Sequence, residues 1–160
     1  MSLVYPKLEP LFHADVDVGA VQSVGHFPAG ERRVIAITGG RITPLGANPL
    51  LSGHIMPLGE DWQWARPDGV LELSAHYVLE LDCGDRIEVN AEGFRHGPPG
   101  VLERLMRGED VDPSEYYFRT AVRLRTASSR PELARLNSLV IVCRAGRRAK
   151  QVCIDYFAVA

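Results

Sequence analysis

Hydrophobic and polar side chains alternate over much of the chain. In residues 71–81 (LELSAHYVLEL) the odd positions are mostly apolar, a period of two that is typical of a strand with one buried face. Residues 86–91 (RIEVNA) alternate again after the turn DCGD, in which Gly84 is free to take a positive φ. The pattern therefore predicts a β-hairpin.

Further segments show the same alternation, and each predicts a strand. They are LFHADVDV at 11–18, RRVIAIT at 32–38, FRTAVRLRT at 118–126, LVIVC at 139–143 and QVCIDYFAV at 151–159. We expect the second of these strands to stop at Gly39-Gly40. The last two flank the basic turn RAGRRAK, which predicts a closing hairpin.

Helices are predicted to be few and short. PPGVLERLMRG, residues 98–108, has prolines suited to a first helical turn and a final glycine suited to the position after the last turn. Asp112 is placed to cap a single turn, and RPELARLN, residues 130–137, predicts one or two more. Many strands with few helices fit an antiparallel sandwich or barrel. We predict a mainly β fold, a single antiparallel β-barrel over residues 1–160, because a closed barrel leaves no exposed sheet edge.

Composition narrows the class of protein. A length of 160 residues with 46% hydrophobic residues is enough for one domain with its own core. The net charge of −2 argues against nucleic acid as a partner. Three cysteines without a C-x-x-C pair indicate reduced thiols. Since no apolar run approaches a membrane span, we expect a cytoplasmic protein with no membrane partner.

The segment GEDWQWARPDG, residues 59–69, concentrates large side chains before a Pro-Asp-Gly turn. Trp62 and Trp64 share a face of an extended segment, where they either stack on a flat ligand or fill one end of the barrel. Asp61 lies beside a tryptophan, and poor solvation there raises a carboxyl pKa into the range of a useful acid or base. The alternative for Asp61 is a hydrogen bond within a loop.

Two other stretches offer groups for an anionic or phenolic ligand. In GFRHGPP, residues 93–99, Arg95 is suited to hold a carboxylate or enolate and His96 to move protons. In DPSEYYFRT, residues 112–120, Tyr117 and Arg119 share one face. The alternatives are a surface loop for the first stretch, and core aromatics beside a solvated basic stripe for the second.

The predicted hairpin adds two candidate ligand contacts, one on each face. Tyr77 lies on its apolar face and is able to offer a hydroxyl to a ligand in an otherwise apolar cavity. Asn90 lies on the polar face, and it reaches the interior only if a bulge turns it inward. In HADVD, His13, Asp15 and Asp17 share a face, which indicates solvated carboxylates, and we predict no metal.

The motifs RRVIAITGG, SGHIMPLGEDWQWARPDG, LELSAHYVLEL, EGFRHGPP and SEYYFRT, in that order, resemble the family known as domain of unknown function 3237 or uncharacterised protein family 0311. The likeness covers nearly the whole chain. It implies a compact antiparallel β-barrel similar to small-ligand barrels of the lipocalin type, and it supplies no established general activity. The family's usual PGGADW reads PLGEDW here, with Leu58 and Glu60 at the changed positions.

The candidate pocket residues together are rich in aromatic and hydrogen-bonding groups and lack a nucleophile–base pair. They are Asp61, Trp62, Tyr77, Asn90, Arg95, His96, Tyr117 and Arg119. One hypothesis is a homodimeric protein that binds a small hydrophobic or aromatic molecule bearing a carboxylate or enol. The other is a cofactor-free isomerase, cyclase or lyase, with Asp61 or His96 as the acid or base. A filled barrel without a site is the third.

Overall fold

The computed structural model describes residues 3–160, which form nine strands, two short helices and two 3₁₀ turns. The strands are β1 Leu8–Phe27, β2 Gly30–Pro44, β3 Gly53–Ile55, β4 Gly59–Ala65, β5 Leu71–Leu81, β6 Arg86–His96, β7 Tyr117–Thr126, β8 Ile141–Arg147 and β9 Gln151–Val159. The helices are α1 Pro99–Met106 and α2 Pro131–Ala134, and the 3₁₀ turns are Pro113–Glu115 and Arg135–Ser138.

The strands form one antiparallel sheet that closes into a ring. Around the ring, β1 pairs with β9, β9 with β8, β8 with β7, β7 with β6, and β6 with β5. The short β3 and β4 follow one another between β5 and β2, and β2 pairs back to β1. The predicted hairpins β5–β6 and β8–β9 are confirmed, and Gly84 takes a positive φ of 91° in the first of them. The mainly antiparallel β class is therefore confirmed as a closed ring.

Alternation along the strands decides which side chains face the inside of the ring. Odd positions of β5 and β6 and even positions of β1, β7 and β9 point inward, and they supply most of the buried residues. One end of the ring is filled by apolar side chains, including Leu133 and Leu136 from the segment that contains α2. At the other end, Leu105 of α1 packs with Leu71, Leu73 and the Tyr116–Phe118 region. Buried apolar side chains therefore pack at both ends of the ring, with the larger cluster at the first end.

The prediction that the second strand stops at Gly39-Gly40 is wrong. β2 continues through both glycines to Pro44 and pairs with β1 on the way. At Gly40 φ is 137°, and a Cβ atom would lie 2.1 Å from the carbonyl oxygen of Asp15. The glycines therefore serve a close approach of two strands, which a sequence pattern does not distinguish from a strand end.

The predicted short helix after residue 98 and the predicted turn after Asp112 are confirmed. α1 has Pro99 in its first turn and is followed by Gly108 with φ of 76°. The Asp112 carboxylate accepts a hydrogen bond of 2.8 Å from the Ser114 amide at the start of the 3₁₀ turn. Within residues 3–160, neither helix has the length and apolar character needed to cross a membrane.

Candidate functional site

A narrow cavity of about 60 Å³ lies inside the ring, and its wall is almost wholly apolar. Its polar members are Asp61, Thr120 and the hydroxyls of Tyr77 and Tyr156. The apolar wall is made by Val16, Val18, Ile37, Leu73, Ala75, Ala91, Phe118, Ala145, Val152 and Ile154. Such a wall accommodates apolar groups, and a benzene ring, which binds in a cavity of ~150 Å³, would extend beyond this space.

The cavity adjoins a wider, polar mouth of about 270 Å³ at the end of the ring beside α1. The two spaces share Asp61 and Phe118 among their walls. The mouth adds three inward arginines and Gln63, with Leu105 and Met106 of α1 at its side. The arginines are Arg33, Arg95 and Arg147. A charged entrance therefore leads to an apolar interior.

Strand register places these polar groups on successive levels of the ring. Asp61 lies opposite Ala75 of β5, Gln63 opposite Leu73, and Arg95 opposite Leu71. On its other side Gln63 lies opposite Arg33 of β2. Because alternate residues face inward, each step from one level to the next covers two residues, or ~7 Å along a strand. The levels run from the acid near the middle of the ring to the arginines at its mouth.

Asp61 is an acid in an environment that disfavours its charge. Its Oδ2 accepts a hydrogen bond of 2.6 Å from Gln63 Nε2. Its Oδ1 is buried and has no hydrogen-bond partner within residues 3–160. Burial raises the pKa of Asp61, although the hydrogen bond from Gln63 and the charge of Arg95 act to lower it. Asp61 therefore has an unused acceptor atom that is available to a bound molecule or its proton.

The three arginines crowd positive charge into the mouth. Burial, together with the neighbouring charges of Arg147 and Arg33, lowers the pKa of Arg95 to about 10. Burial also lowers the pKa of Arg147. The Nε of Arg33 is buried without a hydrogen-bond partner in the described chain. Glu31 Oε2 lies 3.9 Å from this nitrogen, beyond hydrogen-bond distance, so the donor is unsatisfied and costs free energy.

The tyrosine pair lies deeper, beyond Asp61. Tyr77 and Tyr156 are buried, and their hydroxyls are hydrogen-bonded to each other. Phe12 stacks on the Tyr156 ring with a centroid separation of 4.2 Å. Tyr77 lies two residues beyond Ala75 on β5, which places the pair one level past Asp61. The interior thus has polar groups at three depths.

Of the residues predicted from sequence, the structure brings Asp61, Tyr77 and Arg95 together in the interior. All three occupy the inward phase of their strands. Asp61 and Arg95 interact electrostatically across the mouth. These three positions remain our proposed contacts.

Trp62 and Asn90 lie on the outer face of the ring instead. Trp62 is one residue out of phase with Asp61, and its indole N–H donates to Glu60 Oε2 at 2.8 Å. Asn90 donates to Glu88 Oε1 at 3.0 Å on the polar face of β6, because no bulge is present to turn it inward. The expectation that the tryptophan forms a pocket wall is therefore corrected.

His96, Tyr117 and Arg119 also point away from the cavity. His96 stacks on Tyr117 with ring centroids 4.8 Å apart, and Arg119 Nη1 donates to the Phe118 carbonyl oxygen at 2.8 Å. Their inward neighbours Arg95 and Phe118 take the interior positions, since adjacent strand residues face opposite sides. The structure does not bring these three residues to Asp61.

Sequence reasoning missed Arg33, Gln63, Arg147 and Tyr156. A signal was present in the alternation. Arg33 continues the phase of Ile35 and Ile37, and Arg147 continues the phase of Cys143 and Ala145. A charged residue that prolongs the buried phase at a strand end indicates a charge that faces inward.

A second group of ligating atoms lies outside the ring, on β1 and β9. Donor atoms of His13, Asp15 and Cys153 lie within 4.8 Å of one another. His13 Nδ1 is 2.7 Å from Asp155 Oδ1, which leaves Nε2 towards Asp15. Nitrogen, oxygen and sulfur donors are the types that Zn²⁺ accepts. This group is on the opposite side of the sheet from the cavity.

Comparisons of sequence place the chain among proteins without an assigned activity. A sequence profile described as "Protein of unknown function (DUF3237)" matches residues 6–159. A UPF0311 protein of Rhodopseudomonas palustris strain CGA009 is 39% identical over 152 residues, which cover 94% of this chain and 95% of the relative. These matches confirm the resemblance drawn from the motifs.

Two solved structures are similar over nearly their whole length. A protein of Acinetobacter baumannii AYE, described as beta-barrel like, has a TM-score of 0.82 and 36% identity, and the match covers 99% of each chain. A structure described as an enzyme from Penicillium herquei has a TM-score of 0.71 and 20% identity, and covers 100% of this chain and 98% of that one. The second likeness concerns the fold alone.

Proposed function

Because the chain belongs to the family described as protein of unknown function DUF3237, we propose its function from the geometry of the ring interior. The protein is a lipocalin-like β-barrel that binds a small molecule with a conjugated or aromatic body and an anionic group, a carboxylate or an enolate. The observation that carries this proposal is the set of three inward arginines, Arg33, Arg95 and Arg147, which line the mouth together with the carboxylate of Asp61.

The charge balance of the mouth supports an anionic ligand. Three guanidinium groups outnumber the two carboxylates nearby, Asp61 and Glu31, the second of which lies 3.9 Å from Arg33. The lowered pKa of Arg95 reflects burial together with this excess of positive charge. Arg95 and Arg147 have no carboxylate within 4.0 Å among the described residues. A guanidinium holds a carboxylate through two parallel hydrogen bonds, which gives orientation as well as affinity.

The apolar cavity beyond the mouth supports a flat hydrocarbon body. Its wall combines aliphatic side chains with Phe118 and the two tyrosine rings. A small inorganic anion would make no favourable contact with an apolar wall. An aromatic or conjugated acid places its anionic group at the arginines and its body against the apolar wall. The same arrangement excludes water from the body of the ligand.

Native and denaturing mass spectrometry of the freshly purified protein tests the proposal. We expect a small acid to be released on denaturation, and Arg95→Met to lose it. The matched control is Arg119→Met, which removes the same type of side chain from the outer face and is expected to retain the ligand. Retention by Arg95→Met would show that the ligand lies elsewhere. The native spectrum also tests the predicted homodimer.

Proton transfer at Asp61 is the second candidate function. The observation that favours it is the buried, unpartnered Oδ1 on a carboxyl with a raised pKa, at the junction of the mouth and the cavity. An enolate formed there is stabilised by the arginines. The fold neighbour from Penicillium herquei is described as an enzyme, so this fold is compatible with catalysis.

Deuterium exchange separates catalysis from binding. With the released acid in D₂O, a catalyst incorporates deuterium at one carbon, which proton NMR detects as loss of a single resonance. We expect Asp61→Asn to bind the acid and to lose the exchange. Exchange that persists at the wild-type rate in Asp61→Asn would exclude Asp61 as the base, and binding without any exchange would leave a binding protein.

A further inference from the structure

We propose that the hydroxyl pair of Tyr77 and Tyr156 is a second anchor for the ligand, at the deep end of the cavity. The inference rests on the proposed function and narrows the ligand class. It implies a rigid, two-ended molecule with an anionic group at the arginines and an acceptor oxygen, a carbonyl or a hydroxyl, at the far end of a conjugated body.

The two hydroxyls together have one hydrogen more than their mutual bond uses. Each phenol has one hydrogen and two lone pairs, so the bond between Tyr77 and Tyr156 uses one hydrogen and leaves the other unused. Neither hydroxyl has a second hydrogen-bond partner within residues 3–160. The pair therefore retains one O–H donor in an apolar cavity, and an unmet donor there is unfavourable until an acceptor arrives.

The tyrosine pair is also rigid and neutral. Tyr77 and Tyr156 are 2% and 1% exposed, and the Tyr156 ring is stacked on Phe12 at an interplanar angle of 18°. Burial raises the pKa of both phenols, so both carry their protons at neutral pH. A fixed neutral donor discriminates between an acceptor oxygen and a C–H group at a single position of the ligand.

The tyrosine pair and the arginines lie at different depths of the ring. On β5, Tyr77 lies six residues from Leu71, which is opposite Arg95. Six residues span ~20 Å along a strand, and the length of an arginine side chain that bends inward shortens the gap between the polar groups. Asp61 lies between them, two residues from the level of Tyr77. A ligand that reaches both sites must therefore be elongated, with its polar groups at opposite ends of the molecule.

Two probes that differ by one oxygen test the anchor. Calorimetric titration compares cinnamate with 4-hydroxycinnamate, which adds a hydroxyl at the end opposite the carboxylate. We expect the wild-type protein to bind 4-hydroxycinnamate about fivefold more tightly, the effect of one neutral hydrogen bond. In the double variant Tyr77→Phe/Tyr156→Phe the two probes should bind with equal affinity.

Single variants sharpen the test. Tyr77→Phe and Tyr156→Phe each leave one hydroxyl that is able to donate to the ligand, so each should keep most of the preference. The double variant replaces both partners by isosteric apolar rings, a change that is nearly neutral for stability. A melting temperature close to that of the wild type shows that the double variant is folded.

The outcomes separate this inference from the proposed function. Tight binding of cinnamate without a preference for the hydroxyl would overturn the anchor and leave the anion site standing. A preference that survives in the double variant would also overturn the anchor, since the oxygen then lies elsewhere. If neither probe binds, or if Arg95→Met binds both as well as the wild type does, the proposed function fails and the anchor fails with it.

Discussion

Arginines on the two faces of the ring have opposite surroundings. Outside, Arg86 lies 2.7 Å from Glu80, and Arg135 lies 3.0 Å from Glu9. The second of these pairs raises the pKa of Arg135 and lowers the pKa of Glu9. Inside, the pKa of Arg95 is lowered to about 10 by burial and by other arginines.

The difference indicates where charged side chains lack partners within the protein. The outer charges of Arg86 and Arg135 are neutralised by carboxylates of the chain itself, and such surface pairs contribute little to stability. Inside the ring the three arginines outnumber the two carboxylates nearby, Asp61 and Glu31, the second of which lies 3.9 Å from Arg33. We propose that a bound anion compensates the remaining charge. A buried arginine without a partner lowers the stability of the free protein. Such destabilising charges are common in binding sites, where function requires them.

The largest expected effect comes from removing two inner arginines. Arg95→Met/Arg147→Met should weaken cinnamate binding about 100-fold, because charge-assisted hydrogen bonds contribute ~1.5–3 kcal/mol each and their effects overlap. The matched outer variant is Arg119→Met/Arg123→Met, for which we expect no change. Calorimetric titration measures both, and an equal loss in the two variants would remove the distinction between the faces.

Stability should change in opposite directions on the two faces. Arg95→Met removes an unpaired, partly buried charge and should raise the free energy of unfolding by about 1 kcal/mol, or the melting temperature by roughly 2–4 °C. Arg135→Met breaks an outer ion pair and should lower the free energy of unfolding by at most about 1 kcal/mol. Thermal unfolding of the ligand-free proteins checks both, and a destabilised Arg95→Met would contradict the account.

Asp61→Asn should change the pH dependence of stability. The folded-state pKa of Asp61 lies above its ordinary value of 3.8, so its contribution to stability is present at low pH and is lost as pH rises through the folded pKa. Asparagine does not titrate. The melting temperature of Asp61→Asn minus that of the wild type should therefore increase from pH 4 to pH 7.

The control for this pH dependence is Asp68→Asn on the outside. The hydrogen bond from Arg66 lowers the pKa of Asp68, so the sign reverses. The ion pair contributes stability above the unfolded pKa and loses it as pH falls, and the asparagine variant should be the less stable protein at pH 7. The same direction of change in both variants would argue against the burial of a charge at Asp61.

The smallest expected effect is that of Trp62→Phe. The Trp62 indole donates to Glu60 on the outer face, and Arg32 lies over its ring at 5.1 Å. We expect cinnamate affinity to be unchanged and stability to fall by less than about 1 kcal/mol, as for exposed cation–π contacts. A large loss of affinity would mean that the outer face takes part in binding.

Alternation along the chain predicted seven of the nine strands of the described residues, because a half-buried strand imposes a period of two on its sequence. The short β3 and β4 were not predicted. Alternation predicted the hairpin of β5 and β6, and it placed Tyr77 inside. It failed at Gly39-Gly40, where glycines accommodate β1 rather than end a strand. Contacts between strands distant in sequence are not encoded in local spacing.

The site was predicted in part, and the errors share one cause. Asp61 and Trp62 were both assigned to the pocket, although neighbours in a strand face opposite sides. Trp62 was assigned to the pocket because its side chain is large and aromatic, although it lies on the outer face. Arg33 and Arg147 face inward because they continue the alternation of buried residues to the strand ends at the mouth. Their convergence depends on strand pairing, which a single sequence does not reveal.

The central claim is that the interior recognises negative charge. Calorimetric titration with cinnamate and with cinnamamide, its neutral isostere, tests that claim most directly. The account predicts that the carboxylate binds at least about tenfold more tightly than the amide, since a charge-assisted pair to arginine is worth at least ~1.5 kcal/mol. Equal affinities, or tighter binding of the amide, would contradict it.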